Sequence, residues 1–266
     1  MNNHPMYIVM YSGGLTSFES ARRAIEKHGH ENVRLWFADT NTEDEDLYRF
    51  NSDVEKLLNH KIEVLDNDGL DVWDIFYKRK FIGNTRKDPC SHFLKRRPLR
   101  RKLEIEYPNP DDAIVVIGMD EHEDCTRIEK AVRAQLPYKC WMPLLEEPLI
   151  MKAGITRWLN GKGVEIPRLY KQGFQHNNCG GFCIKAGIGQ FVHLQKTNPE
   201  RYDYHMEKEQ EFRKITGKDV SILRDRRNYQ TKPLTLLKLK ERISNGENWN
   251  YDVGWSCMCF ISDSEE

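Results

Sequence analysis

The sequence predicts an α/β protein built on a doubly wound parallel sheet, with a mostly helical C-terminal region. Short apolar, β-favouring runs alternate with segments of helical apolar spacing in the first half of the chain. The connections between them are short, which is typical of βαβ units with parallel strands. The pattern then becomes helical. We therefore expect a first domain over residues 1–145 and a helical, cysteine-containing region over residues 146–266.

The predicted elements follow one another in a regular order. Each strand is identified as a short apolar run, and these runs cover residues 7–11, 33–40, 61–65 and 113–118. Each helix is identified by apolar residues three and four positions apart. The helices are expected over residues 18–25, 44–58, 71–80, 149–159, 186–197 and from Pro199 through Phe212. In such a sheet, ligands bind beyond the carboxyl ends of the strands.

Residues 12–17 join the first strand to the first helix with the sequence Ser-Gly-Gly-Leu-Thr-Ser. Gly13 and Gly14 permit a tight turn that brings backbone N–H groups close to a ligand, and the helix start adds partial positive charge. Thr16 or Ser17 is the expected N-cap. The segment predicts a cradle for phosphate or another oxyanion; the alternative is an ordinary tight turn. It is neither a Walker A loop nor a Gly-x-Gly-x-x-Gly motif.

This Ser-Gly-Gly-x-x-Ser pattern after a first strand resembles the PP-loop of the ATP pyrophosphatase (adenine nucleotide α-hydrolase) superfamily. The usual form of that loop is Ser-Gly-Gly-x-Asp-Ser, and this chain has Thr16 in place of the Asp. The resemblance implies a Rossmann-like fold of the PP-loop (HUP) type that binds ATP or an adenylyl nucleotide. The binding residues that it implies are Ser12, Gly13, Gly14, Thr16 and Ser17.

Asp39 and Thr40 end the second strand, at the same predicted sheet edge as Ser12. On the residues alone, Asp39 is equally well explained as a cap of a turn or helix. An Asp-Thr pair after the second strand is similar to a recurrent feature of the sulfate-nucleotide reductase branch of the superfamily. The resemblance therefore implies that both residues contact the nucleotide.

A segment in which motif-like residues lie unusually close together begins at Cys90 and reads Cys-Ser-x-x-x-Lys-x-x-Pro-Leu. It resembles a segment of phosphoadenylylsulfate (PAPS) and adenylylsulfate reductases and of the DNA-phosphorothioation pyrophosphatases. The resemblance implies that Lys95 lies near the phosphates or sulfate of the nucleotide. We expect Lys95 to be exposed, since no acidic residue at helical spacing neutralises it. The alternative for the basic run over residues 95–102 is a solvated helix face.

The strand over residues 113–118 is the clearest buried strand, and it leads into an acidic loop that ends at Arg127. This looks like the Gly-x-x-x-x-Glu-x-x-x-Arg segment of the same reductase branch. The resemblance implies that Gly118 lets the adenine or ribose lie against the backbone and that Arg127 binds phosphate. It also makes Glu121 or Asp124 a candidate ligand of a metal ion, which is Mg²⁺ in the ATP-using branch.

Seven cysteines in a chain without a secretion signal predict thiols or metal ligands rather than disulfides. Four of them form two close pairs, Cys179 with Cys183 and Cys257 with Cys259. Four thiolates suffice for a zinc site or a 4Fe–4S cluster. The alternative is two pairs of buried or redox-active thiols. The resemblance to adenylylsulfate reductases adds Cys90 as a further candidate ligand.

Overall composition says less about partners than the motifs do. The chain has 41 Lys and Arg residues and 41 Asp and Glu residues, so its net charge predicts neither a nucleic-acid nor a membrane partner. No apolar run has the length needed to cross a bilayer, and no signal peptide precedes the first strand. We therefore expect a cytoplasmic protein.

The order of these segments, followed by Tyr-x-x-Gly and a cysteine pair, is similar to that of the PAPS reductase-like group. One branch of that group reduces a nucleotide sulfate with a cysteine in a C-terminal Glu-Cys-Gly-x-His segment, which this sequence lacks. The other branch uses ATP and Mg²⁺ to form an adenylate that sulfide or an amine displaces. The candidate catalytic residues are Lys95, Arg127 and Cys90.

We therefore expect an ATP pyrophosphatase that acts in sulfur transfer or a related modification. Its candidate partners are a nucleotide, a sulfur donor protein and a nucleic-acid substrate. One alternative is a PAPS or adenylylsulfate reductase-like oxidoreductase. The other is a non-catalytic nucleotide-binding module.

Overall fold

A five-stranded parallel sheet forms the centre of the computed structural model, which describes residues 4–83, 87–120 and 125–247. The strands are β1 (Met6–Tyr11), β2 (Val33–Ala38), β3 (Ile62–Leu65), β4 (Ala113–Val116) and β5 (Lys139–Trp141). Their order across the sheet is β3-β2-β1-β4-β5. The order reverses between β1 and β4, so the switch point of the sheet lies between these two strands.

Helices cover both faces of this sheet. Those of the first half are α1 (Leu15–His28), α2 (Glu45–Leu58), α3 (Val72–Arg79), α4 (Pro89–Ser91), α5 (Arg97–Glu106) and α6 (Cys125–Gln135). Those of the second half are α7 (Lys152–Gly161), α8 (Arg168–Lys171), α9 (Ile188–Thr197), α10 (Pro199–Thr216) and α11 (Leu236–Ser244), with an antiparallel hairpin of β6 (Leu223–Asp225) and β7 (Lys232–Leu234). The predicted doubly wound parallel sheet and helical C-terminal region are confirmed. None of the described helices has both the length and the apolar character of a membrane span.

Each face of the sheet has its own apolar core. Ile8 and Trp36 pack on the face that α5 and α6 cover. Val9 and Leu35 pack on the opposite face, against α1, α2 and α7. Successive side chains of a strand point to opposite faces, so a strand that is covered on both sides must be apolar throughout. This is why β1 and β4 could be identified as uninterrupted apolar runs, whereas β5, which begins with Lys139, was not predicted.

A third core joins the C-terminal helices to the sheet region. Trp73 and Phe76 of α3 pack in one cluster with Phe191 of α9 and Phe212 of α10. On the other side of the sheet, Ile155 of α7 packs in the cluster that contains α1. Packing therefore runs across the expected boundary at residue 145, and the division into two domains stays a prediction.

The helical stretch from α4 to α5 changes its winding at one point. Residues His92–Arg96 form a π-helical turn between the two helices. Such turns interrupt α-helices mostly as single-turn insertions and occur often at functional sites. The turn contains Lys95, so this lysine lies in a backbone conformation that occurs often at functional sites.

Glu209 connects α10 to the hairpin and to α11. Its side chain is fully buried, and its two carboxylate oxygens accept the N–H groups of Ile222 at 3.0 Å and Leu236 at 2.6 Å. Burial raises the pKa of Glu209 to about 7, although the two N–H groups act in the opposite direction.

We expect Glu209 to make stability depend on pH. Its usual pKa is 4.5 and its pKa in the fold is about 7. The protonated form therefore stabilises the fold below pH 4.5, and this contribution is lost as the pH rises through 7. The loss is on the order of 3 kcal/mol. Urea unfolding of the wild type and Glu209→Gln, at pH values below and above the folded pKa, measures it. If the wild type and Glu209→Gln differ in free energy of unfolding by the same amount at both pH values, Glu209 is not the group responsible for the pH dependence.

Candidate active site

The loop over residues 12–14 makes a tight turn at the carboxyl end of β1. Gly13 has a φ of +73°, a left-handed conformation that favours glycine. The N-cap of α1 is Gly14, so the expected cap at Thr16 or Ser17 was wrong. Ser17 instead completes a capping box from the third helical position. Its hydroxyl donates to the carbonyl of Gly14 at 2.9 Å and accepts the Gly14 N–H at 3.2 Å.

A cleft opens at the switch point between the ends of β1 and β4. It is lined by seven of the residues that we proposed from the sequence: Ser12, Gly14, Thr16, Ser17, Lys95, Gly118 and Arg127. Residues that were not proposed line it from the C-terminal region: Lys152, Tyr170, His176, Asn177 and Asn178. The start of α1 and three cationic side chains thus line a single space, which suits an anionic ligand.

Two side chains of the C-terminal region reach the loop at residues 12–14. The hydroxyl of Tyr170 accepts the N–H of Leu15 at 3.3 Å. The side-chain amide of Asn177 donates to the carbonyl of Gly13 at 2.9 Å, and its buried Oδ1 has no hydrogen-bond partner among the described residues. One N–H group at the start of α1, that of Leu15, therefore already binds the oxygen atom of the Tyr170 hydroxyl. The Tyr-x-x-Gly pattern, which begins at Tyr170, was the only feature of the sequence that indicated these contacts between the C-terminal region and the loop.

Gly118 has a structural reason within the fold itself. A Cβ at this position would lie 2.9 Å from backbone atoms of Thr16 and Ser17. The first turn of α1 could not pack so closely against the residues after β4 if residue 118 had a side chain. Gly118 also lines the cleft, and its expected contact with an adenine or ribose stays a prediction.

Lys95 is buried, which corrects the expectation of an exposed lysine. Its Nζ lies 3.0 Å from Oε1 of Glu43, and the two side chains are 6% and 1% exposed. The carboxylate of Glu43 also accepts the hydroxyl of Thr40 at 3.0 Å and the N–H of Cys179. Glu43 lies in the loop before α2, far from Lys95 in sequence. Helical spacing around Lys95 therefore could not reveal the pair.

Asp39 directly follows β2 but does not line the cleft. Its Oδ1 accepts the N–H of Asn41 at 2.9 Å and the hydroxyl of Tyr48 at 3.0 Å. This is the turn cap that the sequence offered as an alternative. Thr40 similarly directs its hydroxyl to Glu43. Nucleotide contacts of Asp39 and Thr40 stay predictions.

Three cysteines line a small second cavity, which we call the thiol cavity. These cysteines are Cys90, Cys179 and Cys183. Lys95 lines both this cavity and the cleft, so the two spaces are neighbours. Lys185 also lines the thiol cavity, 3.4 Å from the buried carboxylate of Asp88, which in turn binds Arg96 at 2.9 Å. Both lysines of the thiol cavity are thus paired with buried carboxylates.

The predicted metal centre is covered only in part by the described residues. Cys257 and Cys259 lie outside them, as do Glu121 and Asp124. Among the residues that are described, no three His, Cys, Asp or Glu side chains are grouped as metal ligands. The described thiols alone therefore do not supply the complete donor set that zinc or an iron–sulfur cluster requires. A centre that includes Cys179 and Cys183 stays a prediction.

A comparison with models of protein families identifies the family to which the chain belongs. The family model of the phosphoadenosine phosphosulfate reductase domain matches residues 6–182, which is more than half of the chain. The chain belongs to this family. The resemblance to the PAPS reductase-like group of the PP-loop superfamily is thereby confirmed. A comparison with curated proteins finds no match.

The solved structures that are similar to the chain include the following two. One is the phosphoadenylyl-sulfate (PAPS) reductase of Candida auris in a phosphate complex, with 16% sequence identity, a TM-score of 0.45, and coverage of 66% of this chain and 80% of that one. The other is the NH3-dependent NAD synthetase of Campylobacter jejuni in complex with the nitrate ion. Its identity is 16%, its TM-score is 0.38, and the match covers 81% of this chain and 87% of that one.

The buried ion pair changes what a substitution of Lys95 should do. Lys95→Met leaves the carboxylate of Glu43 buried without its cation, so we expect the free energy of unfolding to fall by ~3–5 kcal/mol. The double variant Lys95→Met/Glu43→Gln removes both charges and should recover much of that loss. Chemical denaturation of the three proteins measures both effects. A single variant as stable as the wild type would show that the pair contributes nothing.

Proposed function

We propose that the cleft binds ATP or another adenylyl nucleotide, with its phosphates at the loop of residues 12–14. The observation that carries this proposal is the convergence of that loop, the start of α1, Lys95 and Arg127 on one space. Backbone N–H groups at a helix start and a guanidinium are typical phosphate ligands. The family takes its name from a nucleotide sulfate, so an adenylyl nucleotide agrees with both the geometry and the family.

The side chains around the loop support distinct roles in such binding. Lys95 is neutralised by Glu43, so it acts as an oriented hydrogen-bond donor rather than as an additional positive charge. Arg127 and Lys152 line the cleft as cations. The unpartnered Oδ1 of Asn177 suits a ligand hydroxyl or amino group, because buried polar atoms are normally hydrogen-bonded. Asp120 is the acidic residue of the described lining that would hold Mg²⁺.

We further propose that the enzyme is an ATP pyrophosphatase that activates a substrate for sulfur transfer. A substrate oxygen attacks the α-phosphorus of ATP, the bond to the β,γ-unit breaks, and pyrophosphate leaves. A sulfur nucleophile then displaces AMP from the adenylate. Oriented donors at the loop stabilise charge that develops on the phosphate oxygens. The absence of a Glu-Cys-Gly-x-His segment from the sequence supports this chemistry over reduction.

The thiol cavity favours a second candidate function, reduction of a nucleotide sulfate. Three cysteines line a cavity that shares Lys95 with the cleft. A thiolate could attack the sulfonyl sulfur of adenylyl sulfate, which forms an S-sulfocysteine and releases AMP. A second thiolate would then attack the cysteine sulfur, releasing sulfite and forming a disulfide. An external thiol would be required to reduce that disulfide.

Product analysis distinguishes the two functions. With ATP, Mg²⁺, an oligonucleotide as acceptor and sulfide, the first proposal requires AMP and pyrophosphate in equal amounts. Without sulfide it requires pyrophosphate release with the adenylyl group kept on the acceptor. With adenylyl sulfate or PAPS and dithiothreitol, the second requires sulfite. Sulfite production without any pyrophosphate release from ATP would overturn the first proposal. Nucleotide binding without either product would identify a non-catalytic module.

Gly14→Val tests the position of the phosphates. The φ of Gly14 is −98°, which any residue adopts, and a Cβ there would point to within 3.1 Å of the Tyr170 hydroxyl. The added side chain should occupy the phosphate space and weaken ATP binding by tenfold or more, which is ~1.4 kcal/mol. Calorimetric titration measures the affinity.

Gly161→Val is the matched control for that variant. A Cβ at Gly161 meets no atom within 4 Å, and the residue ends α7. This variant should bind ATP as the wild type does. If Gly14→Val, in folded form, also keeps wild-type affinity, the phosphates bind elsewhere.

A further inference from the structure

Positive charge is concentrated in one segment of an otherwise neutral chain. From residue 78 to residue 102 there are eleven Lys and Arg residues and one acidic residue, Asp88, whereas the whole chain has a net charge of zero. Asp88 is buried and binds Arg96 and Lys185, so it adds little negative charge to the surface. Six of its described cations are exposed: Lys78, Arg79, Lys80, Lys87, Arg97 and Arg101.

An open pocket lies within this basic segment. It encloses about 210 Å³ and is lined by Arg79, Phe81, Lys87, Asp88, Pro89, His92 and Phe93. We call it the aromatic-basic pocket. None of these residues lines the cleft, so the pocket is a separate site. The thiol cavity lies between the two spaces, because it shares Asp88 with the pocket and Lys95 with the cleft.

Two guanidinium groups lie over the ring of Phe93: that of Arg79, which lines the pocket, and that of Arg97, which lies beside it. Cζ of Arg79 lies 5.0 Å from the centre of the Phe93 ring, and Cζ of Arg97 lies 5.9 Å from it. The His92 ring packs edge-on against Phe93 at 4.7 Å. The ring of Phe81 is 38% exposed at the rim. The exposed ring of Phe81 and the exposed guanidinium groups of Arg79 and Arg97 are thus available to one ligand.

The two arginines differ from most arginines of this protein. Arg34 and Arg49, for example, bind carboxylates of neighbouring elements. No carboxylate of a described residue lies within 4.0 Å of either Arg79 or Arg97. Burial, followed by the positive charges of the nearby arginines, lowers the pKa of His92. The electrostatic environment of the pocket is therefore positive as well as aromatic.

We propose that the aromatic-basic pocket binds single-stranded nucleic acid, with a base against Phe81 and phosphates at Arg79 and Arg97. Exposed rings that stack on bases, combined with cations that contact the backbone, are the means by which proteins bind single strands without sequence preference. An acidic peptide would satisfy the cations but would leave the exposed ring of Phe81 without a planar partner. A nucleotide strand satisfies both.

This inference deepens the proposed function, and only the role of the strand as sulfur acceptor rests on that function. A strand in the pocket would lie beside the thiol cavity, on the side away from the cleft. Binding itself is measured without ATP. A failure of strand binding and a failure of adenylylation are therefore distinguishable.

The test uses the full chain and fluorescein-labelled oligothymidylate or oligouridylate of roughly 12 nucleotides, followed by fluorescence anisotropy. We expect the wild type to bind at low salt and to lose affinity as salt increases. An abasic oligomer with the same number of phosphates should bind more weakly. Phe81→Ala should weaken binding of the oligothymidylate roughly fivefold or more, which is the lower range for loss of one stacked base.

Matched controls separate the pocket from the general surface. Tyr229→Ala removes an aromatic ring that is more exposed than Phe81 and does not line the pocket, and it should leave the affinity unchanged. Arg79→Gln/Arg97→Gln should reduce the salt dependence of binding, because each removed phosphate contact lowers the slope by about 0.7 on single strands. Arg157→Gln, at an exposed arginine of α7 that does not line the pocket, should not.

Three results would overturn the proposal. The first is the absence of wild-type binding to either oligonucleotide at low salt. The second is equal binding of the abasic oligomer or equal competition by polyglutamate, which would identify a general anion or acidic-peptide surface. The third is wild-type affinity in folded Phe81→Ala together with an unchanged salt slope in the arginine variant.

Discussion

The carboxylate of Glu43 is the interaction on which the arrangement of the site depends. It binds Lys95 of the π-helical turn, the hydroxyl of Thr40 at the end of β2, and the N–H of Cys179. Arg201 of α10 adds a second connection, because it donates to the carbonyls of Thr42 and Glu43 at 2.7 and 2.9 Å. The short loop of residues 40–43 thus fixes three parts of the structure relative to each other: the carboxyl end of β2, the π-helical turn and the C-terminal region.

A buried charge at this position has a physical cost, which indicates a reason beyond stability. Desolvation of an ion pair offsets much of its attraction, and an apolar pair of similar volume is often as stable. A methionine and a leucine at Lys95 and Glu43 would fill space but would orient no donor. The pair holds an ammonium group at a wall that the cleft shares with the thiol cavity. Local rules of burial are commonly broken at functional sites for this reason.

The sequence predicted the sheet and the loop because both are encoded locally. Apolar runs identify β1 and β2, and two glycines beside a helix start identify the turn at Gly13. What it could not predict depends on residues that are distant in sequence. Glu43 neutralises Lys95, and Tyr170 reaches Leu15 from the C-terminal region. No periodicity in one segment reports contacts with another, so the expectation of an exposed lysine followed from incomplete information.

The paired lysines also suit the chemistry of group transfer. A fully positive wall would hold an anionic substrate, intermediate and product with similar strength, and such uniform binding does not raise the rate of the chemical step. Glu43 balances the charge of Lys95 and leaves its N–H groups in place, whereas the single charge of Asp88 is shared between Lys185 and Arg96. Directed donors of this kind stabilise charge where it develops. The cleft and the thiol cavity share Lys95, so in the function that we propose the same ammonium group would contact a phosphate on one side and a sulfur atom on the other.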